Sequence, residues 1–310
     1  MAKQHAIARR LNSRRSGLGA IGVNAIDNQC EAEQLELLVH RLQARALVPI
    51  ILCCANHTDR LQLMRLASTY QVDHAVIVSD LIPLKDAVQI FRTNRPIIVS
   101  AEPIEGARVS CACGDGAEAA SQIVDKLASN GRKHFAYLYG RESSWIDKQR
   151  KKWFSTALAR HGLAFEAEGH GDYSYDSGFK EASLLLRRSK FDELVCGNDV
   201  MAIGARDAAI SLLNRHVPGD LAIVGQDGIT MASWECNDLT SLVLDHVAFI
   251  DAIVQLIERR ETRDGAAPNH CSQMHGSVGF NRLHTGKSGR RRFASDISFE
   301  NAGLSLAVRD

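Results

Sequence analysis

The stretch Val217-Pro-Gly-Asp-Leu-Ala-Ile-Val-Gly-Gln-Asp-Gly-Ile229 decides the fold class, because it joins a buried strand to an acidic turn. Pro218-Gly-Asp220 is typical of a turn, and 221–224 is an unbroken apolar run of the kind found in a parallel strand covered on both faces. Asp227 follows the carboxyl end of that strand, with Gly225 and Gly228 beside it. Ligands of open α/β sheets bind at this edge, so the stretch predicts a strand that presents an acid to a small molecule.

Short apolar runs alternate with amphipathic segments along the rest of the chain, which is the pattern of repeated strand–helix–strand units. The first series predicts strands at 20–26, 48–54, 74–78 and 96–100 and helices at 31–44, 59–70, 86–92 and 116–129. The second predicts strands at 134–139, 163–169, 193–196 and 221–224 and helices at 147–160, 177–188 and 200–213. Two series of similar size indicate an α/β protein with two doubly wound parallel-sheet lobes around a ligand cleft.

Composition restricts the function classes. The chain has 310 residues, of which 45% are hydrophobic and 24% charged, and its formal net charge is +1. This balance is typical of a globular protein and argues against a broad basic surface for nucleic acid. No apolar run is long enough for a membrane span, and the first ten residues lack the apolar core of a secretory signal. We therefore expect a cytoplasmic protein with no membrane partner.

Catalytic and metal-binding motifs are absent from the sequence. The eight cysteines and twelve histidines show no paired ligand spacing, which predicts reduced thiols and no metal or cofactor. The glycines of Gly17-Leu-Gly-Ala-Ile-Gly22 precede or begin a strand, whereas a dinucleotide fingerprint needs them between a strand and a helix. No nucleophile has a recognisable base. The sequence therefore predicts a protein that is not an enzyme and has no catalytic residues.

Four segments carry a resemblance to a known family. These are the opening stretch, Cys196-Gly-Asn-Asp-Val-Met-Ala-Ile-Gly204, Tyr175-Asp-Ser-Gly-Phe179 and Leu239-Thr-Ser-Leu242. Together they resemble, in order, the effector-binding core of lactose-repressor/galactose-repressor (LacI-GalR) transcriptional regulators. The resemblance covers most of residues 18–281 and implies the type I periplasmic-binding-protein-like fold.

The resemblance also implies an effector site. Arg150 matches an arginine that binds ligand hydroxyls or a carboxylate, Asp115 and Asn198 match a first-lobe acid and a cleft amide, and Asp227 matches the second-lobe acid. Tyr173 resembles a residue that places a ring against a sugar. The expected effector is a sugar or sugar derivative, with a nucleobase or another metabolite as the alternative.

Several of these residues have a second interpretation. Asp115 and Asn198 each precede a predicted helix, so helix capping explains them as well as ligand contact does. Trp145 and Trp234 fit either cleft aromatics or buried and subunit-contact side chains. The chain also departs from the family pattern at Trp153, where the family has glycine, and at Gln226 and Gly228 beside Asp227.

Residues 6–16 resemble the family's hinge helix, which enters the DNA minor groove. The resemblance assigns Leu11 as the wedge between base steps, with Arg9, Arg10, Arg14 and Arg15 on phosphates. The family's helix-turn-helix head is missing from the sequence, so we expect weak, salt-sensitive DNA binding at best. A frayed basic tail is the alternative, since such a short helix is marginal by itself.

The expected domain organisation has four parts: a residual hinge at 1–17, a first lobe from 18–131 plus 239–262, a second lobe from 132–238 plus 263–281, and a basic tail at 282–310. A strand is expected at 277–280. A homodimer is expected through lobe faces that include Ile229, Met231 and Trp234. The predicted function is a repressor-type regulator that couples a small effector to DNA binding. A solute-binding receptor of the same fold is the alternative.

Overall fold

A computed structural model describes residues 16–54, 59–78, 81–91, 96–99, 110–261 and 271–275. It contains two parallel β-sheets with helices packed around them, which confirms the predicted α/β class with two doubly wound lobes. Within those residues, no helix is both long and apolar enough to cross a membrane.

The first sheet has six described strands in the order β11-β5-β4-β3-β1-β2, and every neighbouring pair is parallel. Its strands are β1 (Leu18–Val23), β2 (Val48–Cys53), β3 (His74–Val78), β4 (Ile97–Val99), β5 (Ser110–Asp115) and β11 (Cys271–His275). The second sheet is also parallel, in the order β10-β9-β8-β6-β7. Its strands are β6 (Phe135–Tyr139), β7 (Phe165–His170), β8 (Glu193–Cys196), β9 (Ala222–Asp227) and β10 (Thr240–Val243).

Helices connect these strands, as parallel pairing requires. They are α1 (Gln29–Gln43), α2 (Arg60–Thr69), α3 (Leu84–Ile90), α4 (Ala117–Ser129), α5 (Trp145–Arg160), α6 (Tyr175–Arg188), α7 (Asp199–Leu213) and α8 (His246–Glu261), with a 3₁₀ helix at Thr230–Ser233. Five of them begin at a side chain that accepts a backbone N–H in the first turn: Asn28, Asp59, Ser174, Asn198 and Asp245. Such caps satisfy donors that a helix leaves unpaired, and they explain why these helices begin where they do.

The lobe boundaries differ from the prediction in three places. Helix α4 packs in the second lobe against Phe135, Tyr137 and Phe154, so the first lobe ends near residue 116 rather than 131. Strand β10 belongs to the second sheet and β11 to the first, the reverse of the expected placement. The prediction was wrong because it put the return crossing before β10, whereas the chain leaves the second lobe between β10 and α8. The buried face of α8 then packs against the first sheet.

Four of the described strands and α-helices escaped the sequence prediction: β5, β10, β11 and α8. Strand β5 reads Ser-Cys-Ala-Cys-Gly-Asp, which has no β-branched or aromatic residue to mark a strand. Helix α8 was included in the first lobe without being recognised as a helix. The strand expected at 277–280 lies outside the described residues, as do the hinge and the tail.

The expected dimer surface is only partly available. Ile229 is buried in the core of the second lobe and Met231 packs against that core, so Ile229 cannot contact a partner subunit and this part of the prediction was wrong. Trp234 is 50% exposed. Strand β2 lies at an edge of the first sheet and carries exposed Val48 and Ile51, which adds a second apolar surface.

Helices α6 and α7 approach each other closely at Gly178 and Gly204, which belong to the segments 175–179 and 196–204 that resemble the LacI-GalR family. A Cβ atom at Gly178 would collide with the backbone of Met201, and one at Gly204 would collide with the backbone carbonyl of Tyr175. The two motifs are therefore explained by packing, since only glycine permits this separation. Their contact fixes the amino end of α7, which contributes directly to the site described next.

Candidate functional site

An ion pair joins α5 to the acidic turn after β9. Arg150 Nη2 donates to Asp227 Oδ1 at 2.5 Å, and Arg150 Nη1 donates to the carbonyl of Gly197 at 2.6 Å. The two side chains are 16% and 6% exposed. Burial by itself lowers the pKa of Arg150, but the combined attraction of Asp227, Tyr173, Cys30 and Asp147 outweighs it and raises that pKa above the ordinary value. The guanidinium therefore stays charged at the edge of the second lobe.

The backbone at Asp227 has an unusual conformation. Its φ is 123°, a backbone conformation that residues other than glycine rarely adopt. Its carbonyl accepts hydrogen bonds from Leu244 N–H at 3.2 Å and from His246 Nε2 at 3.0 Å. These two donors lie where the chain crosses back to the first lobe, so the crossing holds the turn that presents Asp227.

A second acid, Asp199, is fully buried beneath the same turn. Its Oδ2 accepts the N–H groups of Gly228 at 2.7 Å and Ile229 at 2.9 Å, and its Oδ1 accepts the hydroxyl of Ser241 at 2.6 Å. Burial, followed by repulsion from Asp227, raises the pKa of Asp199 to about 7. Asp199 ties α7, the turn and β10 together. The sequence prediction quoted it only as part of a motif and did not assign it a role.

Asn198 and Tyr173 lie side by side at the start of α7. Asn198 Oδ1 accepts Met201 N–H at 2.9 Å, and its Nδ2 donates to the carbonyl of Tyr173 at 3.1 Å. Tyr173 has a φ of 74°, and its ring lies against Gly140 and 5.5 Å from the guanidinium carbon of Arg141. Asn198 therefore has the capping role that was its alternative interpretation, and it also holds the loop that carries Tyr173.

A further buried acid positions the start of α5. Asp147 Oδ1 accepts the hydroxyl of Tyr137 at 2.7 Å, and its Oδ2 accepts Gly140 N–H at 2.5 Å. Burial raises the pKa of Asp147, although hydrogen bonds and the charge of Arg150 oppose the rise. Gln226 donates to the carbonyl of Cys196 at 2.9 Å and is fully buried. Gln226, which departs from the family pattern, therefore links β9 to β8 beside Asp227.

The first lobe contributes the segment after β1 together with the first turn of α1. Glu31 accepts the backbone N–H of Asn24 at 2.9 Å and its side-chain amide at 3.3 Å, and burial raises the pKa of Glu31. Burial also raises the pKa of Cys30, and Asp227 and Arg150 are close enough to influence it. Cys30 packs against the core of the second lobe. This segment is therefore the wall that faces Arg150 and Asp227.

One pair of hydrogen bonds spans the two lobes at this wall. Glu33 Oε1 accepts the hydroxyl of Thr230 at 2.9 Å and the Thr230 N–H at 3.2 Å. Glu33 also accepts the side-chain amide of Gln29 at 3.0 Å. The lobes are thus in contact beside the Asp227 turn.

The structure brings four of the five expected effector-site residues to one edge of the second lobe: Arg150, Tyr173, Asn198 and Asp227. The fifth, Asp115, ends β5, accepts Ala117 N–H at 3.0 Å and lines a cavity with Trp153 and Arg160 of α5. Asp115 precedes the N-cap residue Gly116, and its carboxylate accepts the first N–H of α4; the other four residues do not line that cavity. The DNA-contact residues assigned from the hinge resemblance lie outside the described part of the chain: Arg9, Arg10, Leu11, Arg14 and Arg15.

Two sheets, a cleft between them and a polar edge at the strand ends define a two-lobed ligand-binding domain. The family model described as "Periplasmic binding protein-like domain" matches residues 124–278. The chain therefore belongs to this family, and its resemblance to LacI-GalR regulators is confirmed.

Known proteins agree with this assignment. Catabolite control protein A of Priestia megaterium is 27% identical over 196 residues, which cover 61% of this chain and 58% of the relative. The chain thus spans little more than half of that protein. The lac repressor dimer bound to operator and the anti-inducer ONPF has a TM-score of 0.76 at 18% identity, covering 91% of this chain and 99% of that one.

A LacI family transcriptional regulator from Arthrobacter sp. FB24, in complex with lactose, has a TM-score of 0.74 at 20% identity. The structural alignment covers 84% of this chain and 97% of the regulator chain. At this level of identity, the two structural similarities establish the fold. The names of these proteins describe control, repressor and regulator proteins rather than enzymes, in agreement with the prediction of a protein that is not an enzyme.

Proposed function

We propose that this chain is the effector-sensing part of a repressor-type transcriptional regulator. In this proposal a small polar molecule binds between the lobes, and the resulting change in lobe geometry alters DNA binding. The observation that carries the proposal is the buried Arg150–Asp227 pair, which lies close to Cys30 of the other lobe. A charged pair held at a strand edge between two lobes suits ligand recognition better than it suits stability.

The effector class that best fits this edge is a sugar or sugar derivative. Arg150 supplies donors and Asp227 acceptors, and Tyr173 supplies a ring for an apolar sugar face. On the first-lobe side, Asn24 Oδ1 and Gln29 Oε1 are buried without a hydrogen-bond partner among the described residues. Ligand hydroxyls would satisfy such acceptors. A nucleobase is the second class to test, and Asp115 remains a proposed ligand residue at the lobe crossing.

The DNA-binding output would involve a dimer. The exposed surfaces at Trp234 and at strand β2 support self-association, because large apolar side chains on a free surface favour contact with a second copy. Arg9, Arg10, Leu11, Arg14 and Arg15 would contact the minor groove in such a dimer. We expect the regulator to act in the cytoplasm, where its operator is.

A thermal-shift panel tests the effector site. Lactose, cellobiose, glucose and adenine are compared on the wild type, on Arg150→Lys and on Arg187→Lys, a control that makes the same exchange on an exposed helix face. A sugar that binds the cleft should raise the Tm of the wild type and of Arg187→Lys. Its effect on Arg150→Lys should be much smaller, since lysine cannot donate to two acceptors in a fixed fork. A sugar that stabilises all three equally would exclude Arg150 from the site.

Fluorescence anisotropy with a labelled duplex tests the DNA contacts. The chain should bind weakly, and the logarithm of its affinity should fall with the logarithm of salt concentration by about 0.9 per phosphate contacted. Replacing the four arginines at 9, 10, 14 and 15 by glutamine should remove most of that slope, whereas Leu11→Ala should retain it. Tight, sequence-selective binding at physiological salt would contradict this part of the proposal.

A further inference from the structure

A separate cavity lies at the end of the second sheet opposite Asp227. It is bordered by the first residues of three neighbouring strands, Glu193 of β8, Ala222 of β9 and Thr240 of β10, and its volume is about 290 Å³. Because all strands of this sheet run parallel, these amino ends and the carboxyl end at Asp227 are on opposite sides of the lobe. The cavity therefore does not belong to the interlobe site.

Glu193 is an unusual residue for this position. It is fully buried, and neither of its carboxyl oxygens has a hydrogen-bond partner among the residues that the structure describes. Burial raises the pKa of Glu193 well above its ordinary range, with only Arg132 opposing this effect. Its neighbours in the sheet are Phe135 and Ala222, so strand pairing does not require an acid here. A buried carboxyl without partners is costly, and a ligand would offset that cost.

The charges around the cavity select the kind of ligand. Glu193, Glu235 and Asp238 are acidic. The basic side chains nearby are Arg206, which pairs with Asp207 at 3.1 Å, and Arg132, which donates to the backbone carbonyls of Asp192, Pro218 and Gly219, so acids still outnumber bases. This balance disfavours an anion and favours a cation. No grouping of three or more His, Cys, Asp or Glu in the described part of the chain is suited to a metal ion. Leu127, Pro218 and Leu239 complete the lining with apolar surface.

We propose that this cavity binds a small organic amine. Its ammonium group donates hydrogen bonds to the carboxylate of Glu193, and its hydrocarbon chain packs against Leu127 and Leu239. On binding, the Glu193 carboxyl gives up its proton to solvent and forms an ion pair with the ammonium group. A buried carboxylate with a charged donor is far more stable than an isolated one, which is the source of the affinity.

Calorimetry with putrescine tests this site on the whole chain. Putrescine should bind the wild type and Glu36→Gln, a matched exchange on an exposed first-lobe residue, with equal affinity. Glu193→Gln should weaken binding at least about tenfold, because an amide carries no charge for the ammonium group. A neutral diol of the same length and MgCl₂ should produce no signal. Titration in two buffers with different ionisation enthalpies should show proton release for the wild type only.

Three results would overturn the proposal. They are equal putrescine affinity in Glu193→Gln, equal binding of the neutral diol, and binding of Mg²⁺ in place of the amine. Val217→Phe narrows the cavity without altering the carboxyl group, so it should also weaken putrescine binding if Glu193→Gln fails to fold. Arg150→Lys should leave putrescine affinity unchanged, which separates this site from the interlobe site.

Discussion

The two lobes share one architecture but hold their charged groups in different places. In the second lobe, Arg150 and Asp227 form a pair whose side chains are 16% and 6% exposed, and the fully buried Asp199 supports the turn beside it. In the first lobe, Arg41 pairs with Asp251 across α1 and α8 with side chains that are 38% and 44% exposed. Exposed ion pairs contribute little to stability, whereas buried ion pairs restrict the conformation and carry a desolvation penalty.

This difference indicates that the proposed effector site is held together mainly by contacts inside the second lobe. The turn at Asp227, the start of α7 and the start of α5 are all fixed by hydrogen bonds inside that lobe. The first lobe adds the segment 24–31, where Cys30 packs against the second lobe, and the contact of Glu33 with Thr230. Substitutions should therefore affect folding most in the second lobe and closure most at the contact between lobes.

The largest effect is expected for Asp199→Ala. It leaves the N–H groups of Gly228 and Ile229 and the hydroxyl of Ser241 without their acceptor. The free energy of unfolding should fall by about 3–5 kcal/mol, as for other buried charged groups that lose their network. Urea unfolding measures the change, with exposed Asp176→Ala as the control. A loss no larger than that of the control would show that the turn does not depend on Asp199.

The next effect is a pH dependence of stability. The pKa of Asp199 is about 7 in the folded chain against an ordinary 3.8, so the folded state binds this proton more tightly than the unfolded state. Its contribution to stability is therefore complete below pH 3.8 and lost as pH rises to about 7. A difference of that size is worth about 4 kcal/mol.

Asp199→Asn isolates this contribution, because the pKa values of Glu31 and Glu193 are also raised and affect both proteins alike. Urea unfolding across this pH range should show a shallower decline for the variant than for the wild type. Parallel curves would mean that Asp199 is ionised throughout.

A medium effect is expected from a single methyl group in each lobe. Gly178→Ala forces a Cβ atom into the backbone of Met201, whereas Gly19→Ala meets Leu42 at an ordinary 3.6 Å. The first exchange should cost about 1–3 kcal/mol through overpacking, and the second should cost less than about 1 kcal/mol. Thermal unfolding of the two variants compares them directly. Similar losses would contradict the close approach of α6 and α7.

The smallest effect on stability belongs to the contact between the lobes. Glu33→Ala removes the acceptor of both Thr230 hydrogen bonds, but the groups are partly solvent-exposed, so unfolding should change by less than about 1 kcal/mol. Small-angle scattering should nevertheless show a larger radius of gyration, since the closed arrangement loses a link. Glu36→Ala, on an exposed part of the same helix, is the control. An unchanged radius would show that other contacts hold the lobes together.

The bounds of strands were predicted best where the local residue preferences favour the same structure as the tertiary packing does. Strands β3 and β8 begin and end at the predicted residues, because their apolar runs are bounded by polar turns. The four residues at the second-lobe edge were assigned by their resemblance to positions of the LacI-GalR family, and their role in ligand binding stays a prediction. Strand β5 was missed since its cysteines and alanines show no strand preference, and its pairing with β4 and β11 supplies what the sequence lacks.

The support of the site could not be read from local patterns. Asp147 and Asp199 are buried acids that depend on partners 10 and 42 residues away, at Tyr137 and Ser241. The role of Cys30 depends on contact between lobes. Asp115 was assigned by the family resemblance, but an acid at the end of a strand can accept an N–H of the following helix just as well as it can bind a ligand. The tertiary structure decides which of these partners a given acid contacts.

Within the described residues, the backbone passes between the lobes at two places that are close neighbours in space. A Cβ atom at Gly114 would approach Leu244 to 2.9 Å, and one at Gly116 would lie 3.0 Å from Leu242. Residues 117–243 therefore form one uninterrupted cassette whose entrance and exit adjoin, the geometry of an inserted domain. We expect the excised segment 117–243 to fold by itself and to carry the Asp227 turn intact into a different host protein.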